Sequence, residues 1–339
     1  MAEPLAVLTV AGGNYLPQAA AMATSLRRFH PGVPLYVVLA GGRRSAPALE
    51  KLGVRVWPAA GLRAEGLLGM MLRCGCKELC AALKPAAVRA VFDEGHRTAV
   101  FLDPDMLVLA SLEPFFRDAA AHALTLTPHL VPEAAASPDA ALERSLLMAG
   151  MFNGGLLGAS DCGETRRFLE WWSGRLRAHC YEDVHAGIHY DQRWLDLAPG
   201  LVGDLHIYRD PGCNAAYWRL RWLRVEQRGG AFFVNGEPLR LFHFSGYDPA
   251  APEFVTKFRP GWPVEETGAA ELFRLYHRLL LEAGWSEASA GEHDGPDVYK
   301  AFYWLRRVRA AGRRARRDPR ALLERLWKPG SGRSPSPPG

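Results

Sequence analysis

TAVFLDPDMLVL, residues 98–109, reads as an apolar strand, two acids around a proline, and a second apolar strand. A run that is apolar at every position suits a strand buried on both faces, as in a parallel sheet. Asp103 and Asp105 follow the end of that strand, and Pro104 restrains the backbone between them. Open α/β sheets bind their ligands there, outside the carboxyl ends of the strands. Hard oxygen ligands at this spacing suit Mg²⁺ or Mn²⁺, and those ions suit a diphosphate. The plain alternative is a solvated turn.

The segments before this stretch predict the sheet it belongs to. LAVLTV (Leu5–Val10) is a buried strand, AGGNY a loop, and Pro17–Phe29 has helical apolar spacing. Pro31, Gly32 and Pro34 break the helix, and PLYVVLA and LGVRVW (Leu52–Trp57) are further strands. Such alternation predicts an α/β fold, with a mostly parallel Rossmann-like sheet and helices on both faces. Lys77–Leu83 reads as one helix, and Pro85 as the first position of another, Ala86–Glu94. The second half is less regular. It predicts a small-residue strand at Phe152–Gly158 and an amphipathic helix at Glu164–Arg177, with Trp171 and Trp172 packing inward. A short helix starts at Asp191, and a hairpin over Phe232–Phe244 turns at Asn235-Gly236. Helices follow over Ala270–Ala283 and Val298–Ala311. There is no internal repeat.

Composition narrows the class. The chain has 339 residues, 48% hydrophobic, 23% charged and 10% aromatic, which excludes collagen, coiled coil and global disorder. No apolar run approaches the roughly 20 residues that span a bilayer. No basic segment precedes the first apolar stretch, so we expect no signal peptide and a cytoplasmic protein. Cysteines 74, 76, 80, 162, 180 and 213 are then expected to be reduced. The spacing of Cys74, Cys76 and Cys80 lacks the second pair or nearby histidine of a zinc site. The charge is uneven: residues 301–339 carry 11 Lys/Arg against 2 Asp/Glu, and the remainder is mildly acidic. That distribution gives no reason to expect a specific nucleic-acid partner. Residues 301–328 interleave aromatic and aliphatic groups with arginines. They read as a segment for peripheral contact with an anionic membrane surface, or as a solvated charged helix. The Pro/Gly/Ser-rich end, residues 329–339, is expected to be disordered.

FLDPDMLVL resembles the metal motif of GT-A-fold glycosyltransferases. The order of features resembles glycosyltransferase family 8, which includes glycogenin and bacterial lipopolysaccharide galactosyltransferases. NYLPQAAAMATSLRRFHP is similar to its nucleotide-binding loop and helix, and ALKPAAVRAVFDEGHRTAVFLDPD to its helix with a lysine leading into the metal motif. FNGGLLG is similar to its sugar-contacting strand, DQRWLD to its D-Q motif, and FHFSG to its late His-x-x-Gly. The resemblance runs from about Leu5 to Lys257. It implies a metal-dependent, retaining-type enzyme that moves a hexose from a UDP-sugar to a hydroxyl of a glycan or lipid-linked glycan. It also implies a catalytic domain over residues 1–263, with a nucleotide half to about 110 and an acceptor half after it. Helices over 264–328 would follow.

Residue by residue, the resemblance implies Asp103, Asp105 and His243 as ligands of Mn²⁺ or Mg²⁺, and Thr9, Ala11, Asn14 and Tyr15 as the wall for uracil and ribose. It implies Lys84 as a donor-contacting cation and Asn153, Gly154 and Gly155 under the donor sugar. Asp191 and Gln192 would lie near the anomeric carbon, and Asn214 on a loop closing over donor and acceptor. Where many members carry an arginine, two residues before Lys84, this chain has Ala82. The late lysine normally follows His-x-x-Gly closely, whereas Lys257 stands 11 residues beyond Gly246. Charge neutralisation falls to Lys84, Lys257 or Arg259. Asp191 also reads as a helix N-cap, and Tyr217 and Trp218 as packing or sugar-stacking groups. The retaining chemistry admits front-side attack or a covalent intermediate. Two rival functions stand beside this one. The first is a catalytically inactive nucleotide-sugar-binding scaffold. The second is a haloacid-dehalogenase-type phosphatase, whose first acid is a nucleophile. That motif continues to Thr or Val where this chain has Leu107, and it lies near the chain start.

Overall fold

From Ala6 to Ala11 every residue of the first strand, Leu5–Ala11, is buried, and its side chains alternate between two cores. Ala6, Leu8 and Val10 face one, and Val7 and Ala11 the other. The structure, a computed structural model, describes residues 4–40 and 46–286. Among these the central sheet has seven strands. Their order is Leu205–Ile207, Leu124–Pro128, Phe152–Ser160, Thr98–Leu102, Leu5–Ala11, Leu35–Leu39 and Arg55–Pro58. Phe152–Ser160 runs antiparallel to both its neighbours and every other pairing is parallel. Helices cover both faces, as the strand–helix alternation predicts. Cys76–Asp93 and Gly163–His179 pack on one face, and Leu16–Phe29 and Glu113–Ala121 on the other.

Two local expectations need correction. Pro85 does not begin a helix; it lies inside a single helix, Cys76–Asp93. One missing backbone donor is tolerated because the helix is buried on both sides of it, at Ala81, Ala82, Leu83, Ala86, Ala87 and Val88. The hairpin over Phe232–Phe244 is also shorter than expected. Ala231–Val234 pairs with Glu237–Pro238 around Asn235 and Gly236, both at positive φ (51° and 90°). The following strand, Leu241–His243, leaves that hairpin and joins a second sheet, between Ala215–Ala216 and Met106–Val108.

That second sheet positions the site. Leu241–His243 runs antiparallel to Met106–Val108, with His243 opposite Met106, so the late histidine lands beside the acid pair. A third apolar cluster backs it, formed by Phe242, Phe244 and the helix Ala270–Glu282 through Leu272, Phe273, Tyr276 and Leu280. Tyr276 stacks on Phe244 at 3.7 Å. All described residues fall in one compact unit. The predicted helix at Val298–Ala311, the basic segment and the tail lie outside the described residues. No helix among the described residues is long and apolar enough to cross a membrane. The six cysteines are free thiols.

Candidate active site

The acid pair is clamped by backbone on both sides. Asp103 N–H donates to Gly155 O at 2.8 Å, and Asp105 O accepts from Phe244 N–H at 2.9 Å. Asp103, Asp105 and His243 each offer one ligand atom, all within 4.8 Å of one another. His243 Nε2 stands 3.2 Å from Asp105 Oδ1 and 3.9 Å from Asp103 Oδ2. The ring is held edge-on by Trp218 at 5.5 Å, so Trp218 packs. Two carboxylates and an imidazole, gathered at the carboxyl end of a parallel strand, fit a divalent cation. Burial pushes the Asp103 carboxyl up, with Asp105 and Asp191 adding to it against Lys84 and His243. Burial also pushes Asp105 up, but the charge and hydrogen bond of His243 reverse this and hold it below its usual value.

Lys84 lies beneath the pair and is buried. Its Nζ is 3.1 Å from Asp103 Oδ1, 2.9 Å from Asp191 Oδ2 and 2.9 Å from Gly154 O. Burial works against its charge, but the two carboxylates outweigh this and push its pKa up. The Asp191 side chain makes no capping bond. Its position is fixed instead by Lys84 and by Trp172 Nε1–H, which donates to Asp191 O at 3.1 Å.

Asn153 is held at both ends. Its Oδ1 accepts from Gly155 N–H and from Asn214 Nδ2, each at 3.0 Å, and its Nδ2 donates to Gln192 Oε1 at 3.1 Å. Gln192 Oε1 also accepts from Gly154 N–H at 3.1 Å, while Gln192 Nε2 donates to Ala149 O at 3.0 Å. A carbonyl can only accept and a backbone N–H can only donate, so the Gln192 amide has one orientation. Gly155 has no room for a side chain: a Cβ would lie 2.7 Å from His243 Cε1 and 2.8 Å from both Asn153 Oδ1 and Asp103 Oδ2. Asn214 is fully buried at φ 58° and donates to Thr127 Oγ1 at 2.7 Å as well as to Asn153. From the loop before the strand Ala215–Ala216, its side chain thus turns to Thr127 and Asn153.

The proposed nucleotide wall is divided. Thr9 is buried inside the first strand and its hydroxyl has no hydrogen-bond partner; Ala11 ends that strand. Asn14 and Tyr15 are partly exposed in the turn that follows. Cys76, on the first turn of the helix Cys76–Asp93, faces Asn14, Sγ to Oδ1 3.9 Å. The Tyr15 phenol is pushed up by burial and by the charges of Asp105 and Asp103.

Lys257 returns to the His-x-x-Gly turn despite its distance in sequence. Lys257 N–H donates to Gly246 O at 2.9 Å, and Thr256 Oγ1 donates to Ser245 O at 3.0 Å. Gly246 has φ 73°, and a Cβ there would meet Phe258 at 2.5 Å. The intervening residues loop out, and Lys257 and Phe258 return against the His-x-x-Gly turn. Arg259 turns elsewhere, over Trp262 at 4.5 Å, and its charge acts on Asp139.

Sequence reasoning missed three residues. Lys77 has its Nζ 4.2 Å from the Tyr190 ring and 5.7 Å from the Phe258 ring. A lysine seven positions before Lys84 shares its helix face, so the spacing carried the signal. His129 is buried behind Asn153, with Nδ1–H donating to Gly150 O at 2.7 Å. Burial pushes its pKa from 6.5 down to about 3. Arg219, also buried, donates to the carbonyls of His129, Cys213 and Pro128.

No family model matches the chain. It is 26% identical over 250 residues to the uncharacterized protein YfnF of Bacillus subtilis (strain 168), a match covering 71% of this chain and 81% of that one. Among solved structures it is similar to galactosyltransferase LgtC in complex with donor and acceptor sugar analogues. That match has TM-score 0.46 and 14% identity, and covers 87% of this chain and 99% of LgtC. It is also similar to mouse xyloside xylosyltransferase 1 in its apo form, with TM-score 0.44 and 12% identity, covering 70% of this chain and 97% of that one.

Proposed function

We propose that the chain is a metal-dependent glycosyltransferase of GT-A type that takes a hexose from a UDP-sugar to a hydroxyl of a glycan or lipid-linked glycan. The observation that carries the reading is the convergence of Asp103, Asp105 and His243 within 4.8 Å, beside the hydrogen-bonded floor of Asn153, Gly154 and Gly155. Mn²⁺ or Mg²⁺ held by these three residues would neutralise charge on a departing diphosphate. The imidazole favours Mn²⁺, since magnesium prefers an all-oxygen shell.

The chain's own residues supply the rest. Lys84 fixes Asp103 and Asp191. Asn153 and the small residues Gly154 and Gly155 leave a flat polar floor for a sugar ring. Gln192 Oε1 already accepts two hydrogen bonds, so it presents no free nucleophilic oxygen, and Asp191 Oδ2 is paired with Lys84. The engagement of Gln192 supports front-side attack over a covalent intermediate on that residue. In that route the bond from the anomeric carbon to the diphosphate oxygen breaks and the electron pair stays on that oxygen. The acceptor oxygen bonds to the anomeric carbon on the same face, and its proton passes to the diphosphate.

A panel of UDP-sugars with Mn²⁺, read by released UDP, tests the proposal. Release with at least one donor, and none in excess chelator, is expected. Phosphomonoester hydrolysis without response to any nucleotide-sugar would overturn it in favour of the phosphatase. UDP binding without product across the panel would favour the inactive scaffold. The membrane role of the basic segment rests on its sequence alone, and liposome sedimentation of a chain ending at residue 300 tests it.

A further inference from the structure

A second cleft lies apart from the metal acids. Its volume is about 400 Å³, within the range of small-molecule sites. It runs between the edge strand Arg55–Pro58 and the second half of the helix Cys76–Asp93. Arg89 and Asp93 line it, roughly 7 and 13 Å beyond Lys84 along the axis of that helix. No residue of the candidate active site lines it.

The floor is apolar and the rim is polar. Trp57 lies there with the buried Leu62 and Ala86. The Trp57 ring packs on Tyr36, with centroids 4.2 Å apart. Tyr36 is pinned in turn, because its hydroxyl accepts from Arg55 Nη1–H at 2.6 Å and pairs with His96 Nε2 at 2.8 Å. The half-buried indole is therefore a fixed platform. Around it stand Arg63, Arg89, Asp93 and Glu94. Asp93 Oδ1 accepts from Arg166 Nη1 at 3.2 Å. Among the described residues the Trp57 indole N–H, the two guanidiniums and the Glu94 carboxylate have no hydrogen-bond or ion-pair partner.

Unpaired donors and an unpaired acceptor beside a rigid aromatic face match a saccharide. Sugar hydroxyls both donate and accept, and the C–H face of a pyranose lies flat on an indole. A guanidinium fork fits a carboxylate in the plane. A nucleotide fits less well, because its phosphates would meet Asp93 and Glu94. With Asp93 held by Arg166, two guanidiniums face one unpaired carboxylate, and the excess of positive charge selects an acidic sugar.

We propose that this cleft binds a carboxylated saccharide segment of a glycan, with Trp57 as its stacking platform and Arg63 and Arg89 as the groups that take its carboxylate. The chemistry of the cleft is independent of the transferase reading, which adds only that the segment belongs to the acceptor.

Calorimetry on the full chain tests this with trigalacturonate, a hyaluronan tetrasaccharide and, as the neutral comparison, maltotriose. At least one acidic probe is expected to bind, and more tightly than maltotriose. Arg89→Met removes no ion pair among the described residues, so it should keep the wild-type melting temperature while weakening the acidic probe about tenfold. Trp57→Ala should weaken it at least tenfold, and Asp103→Ala should leave it unchanged. Absence of binding by both acidic probes overturns the proposal, as does equal affinity in Arg89→Met and the wild type. Maltotriose bound as tightly as the acidic probes overturns the selection by charge. Loss of binding in Asp103→Ala overturns the separate cleft, because the saccharide would then lie in the catalytic one. UDP release is measured separately: a chain that binds the acidic probe through Arg89 but turns over no donor keeps the cleft and loses the transferase reading.

Discussion

Lys84 and Lys77 lie two turns apart on one face of the helix Cys76–Asp93, in opposite surroundings. Lys84 is buried with all its acceptors made by protein: two carboxylates and a carbonyl. Lys77 is exposed between aromatic rings, with no ion pair among the described residues. The inner end of the site is thus assembled before any ligand arrives, and the outer end is left open to charge brought from outside. A transferase benefits from this division, because groups fixed in advance need no reorganisation during reaction.

The largest effect tests the inner end. Asp103→Ala or Asp105→Ala should lower nucleotide release from the best donor by roughly a hundredfold or more in steady-state assays. Lys84→Met leaves the buried Asp191 and the half-buried Asp103 without its countercharge. It should cost about 3–5 kcal/mol in urea unfolding, partly recovered with Mn²⁺. Lys77→Met should change stability by less than about 0.5 kcal/mol, as at other exposed positions. If the two lysine variants unfold alike, the contrast between the ends is wrong.

Two smaller effects test how the floor is held. His129 has a folded pKa of about 3 against 6.5 for the free side chain. The unfolded chain therefore takes up a proton that the folded chain refuses. Its contribution to stability is full above pH 6.5 and is lost as pH falls towards 3. Between pH 7 and pH 4.5 this amounts to on the order of 2 kcal/mol. His129→Gln should flatten the urea midpoint against pH over that window, and an unchanged slope would show that His129 is not buried neutral. Gly155→Ala forces a Cβ against His243, Asn153 and Asp103. It should cost about 1–3 kcal/mol and reduce the Mn²⁺-induced rise in melting temperature.

The same contrast explains what could be read from sequence. Leu5–Ala11, Leu35–Leu39 and Thr98–Leu102 are buried on both faces, so they announce themselves as apolar runs. The acids at 103 and 105 follow directly, because ligand sites in such sheets lie at strand ends. Pro85 misled because local propensity favours a break, and burial of its flanks overrode it. Sequence reasoning extends the hairpin through Leu241–His243, because a turn signal at Asn235-Gly236 says nothing of where the chain goes after Pro238. The position of Lys257 depends on a loop folding back to Gly246, and no spacing rule encodes that. His129 and Arg219 act through backbone carbonyls, so they leave no side-chain pattern in the sequence.

The central claim is that two acids and His243 hold one divalent ion. Electron paramagnetic resonance of Mn²⁺, titrated into the full chain with a nucleoside diphosphate present, measures this directly by the loss of the free-ion signal. One bound ion per chain in the wild type is expected, with that binding lost in Asp103→Ala, Asp105→Ala and the double variant. Undiminished Mn²⁺ binding in the double variant, or none in the wild type, would contradict it.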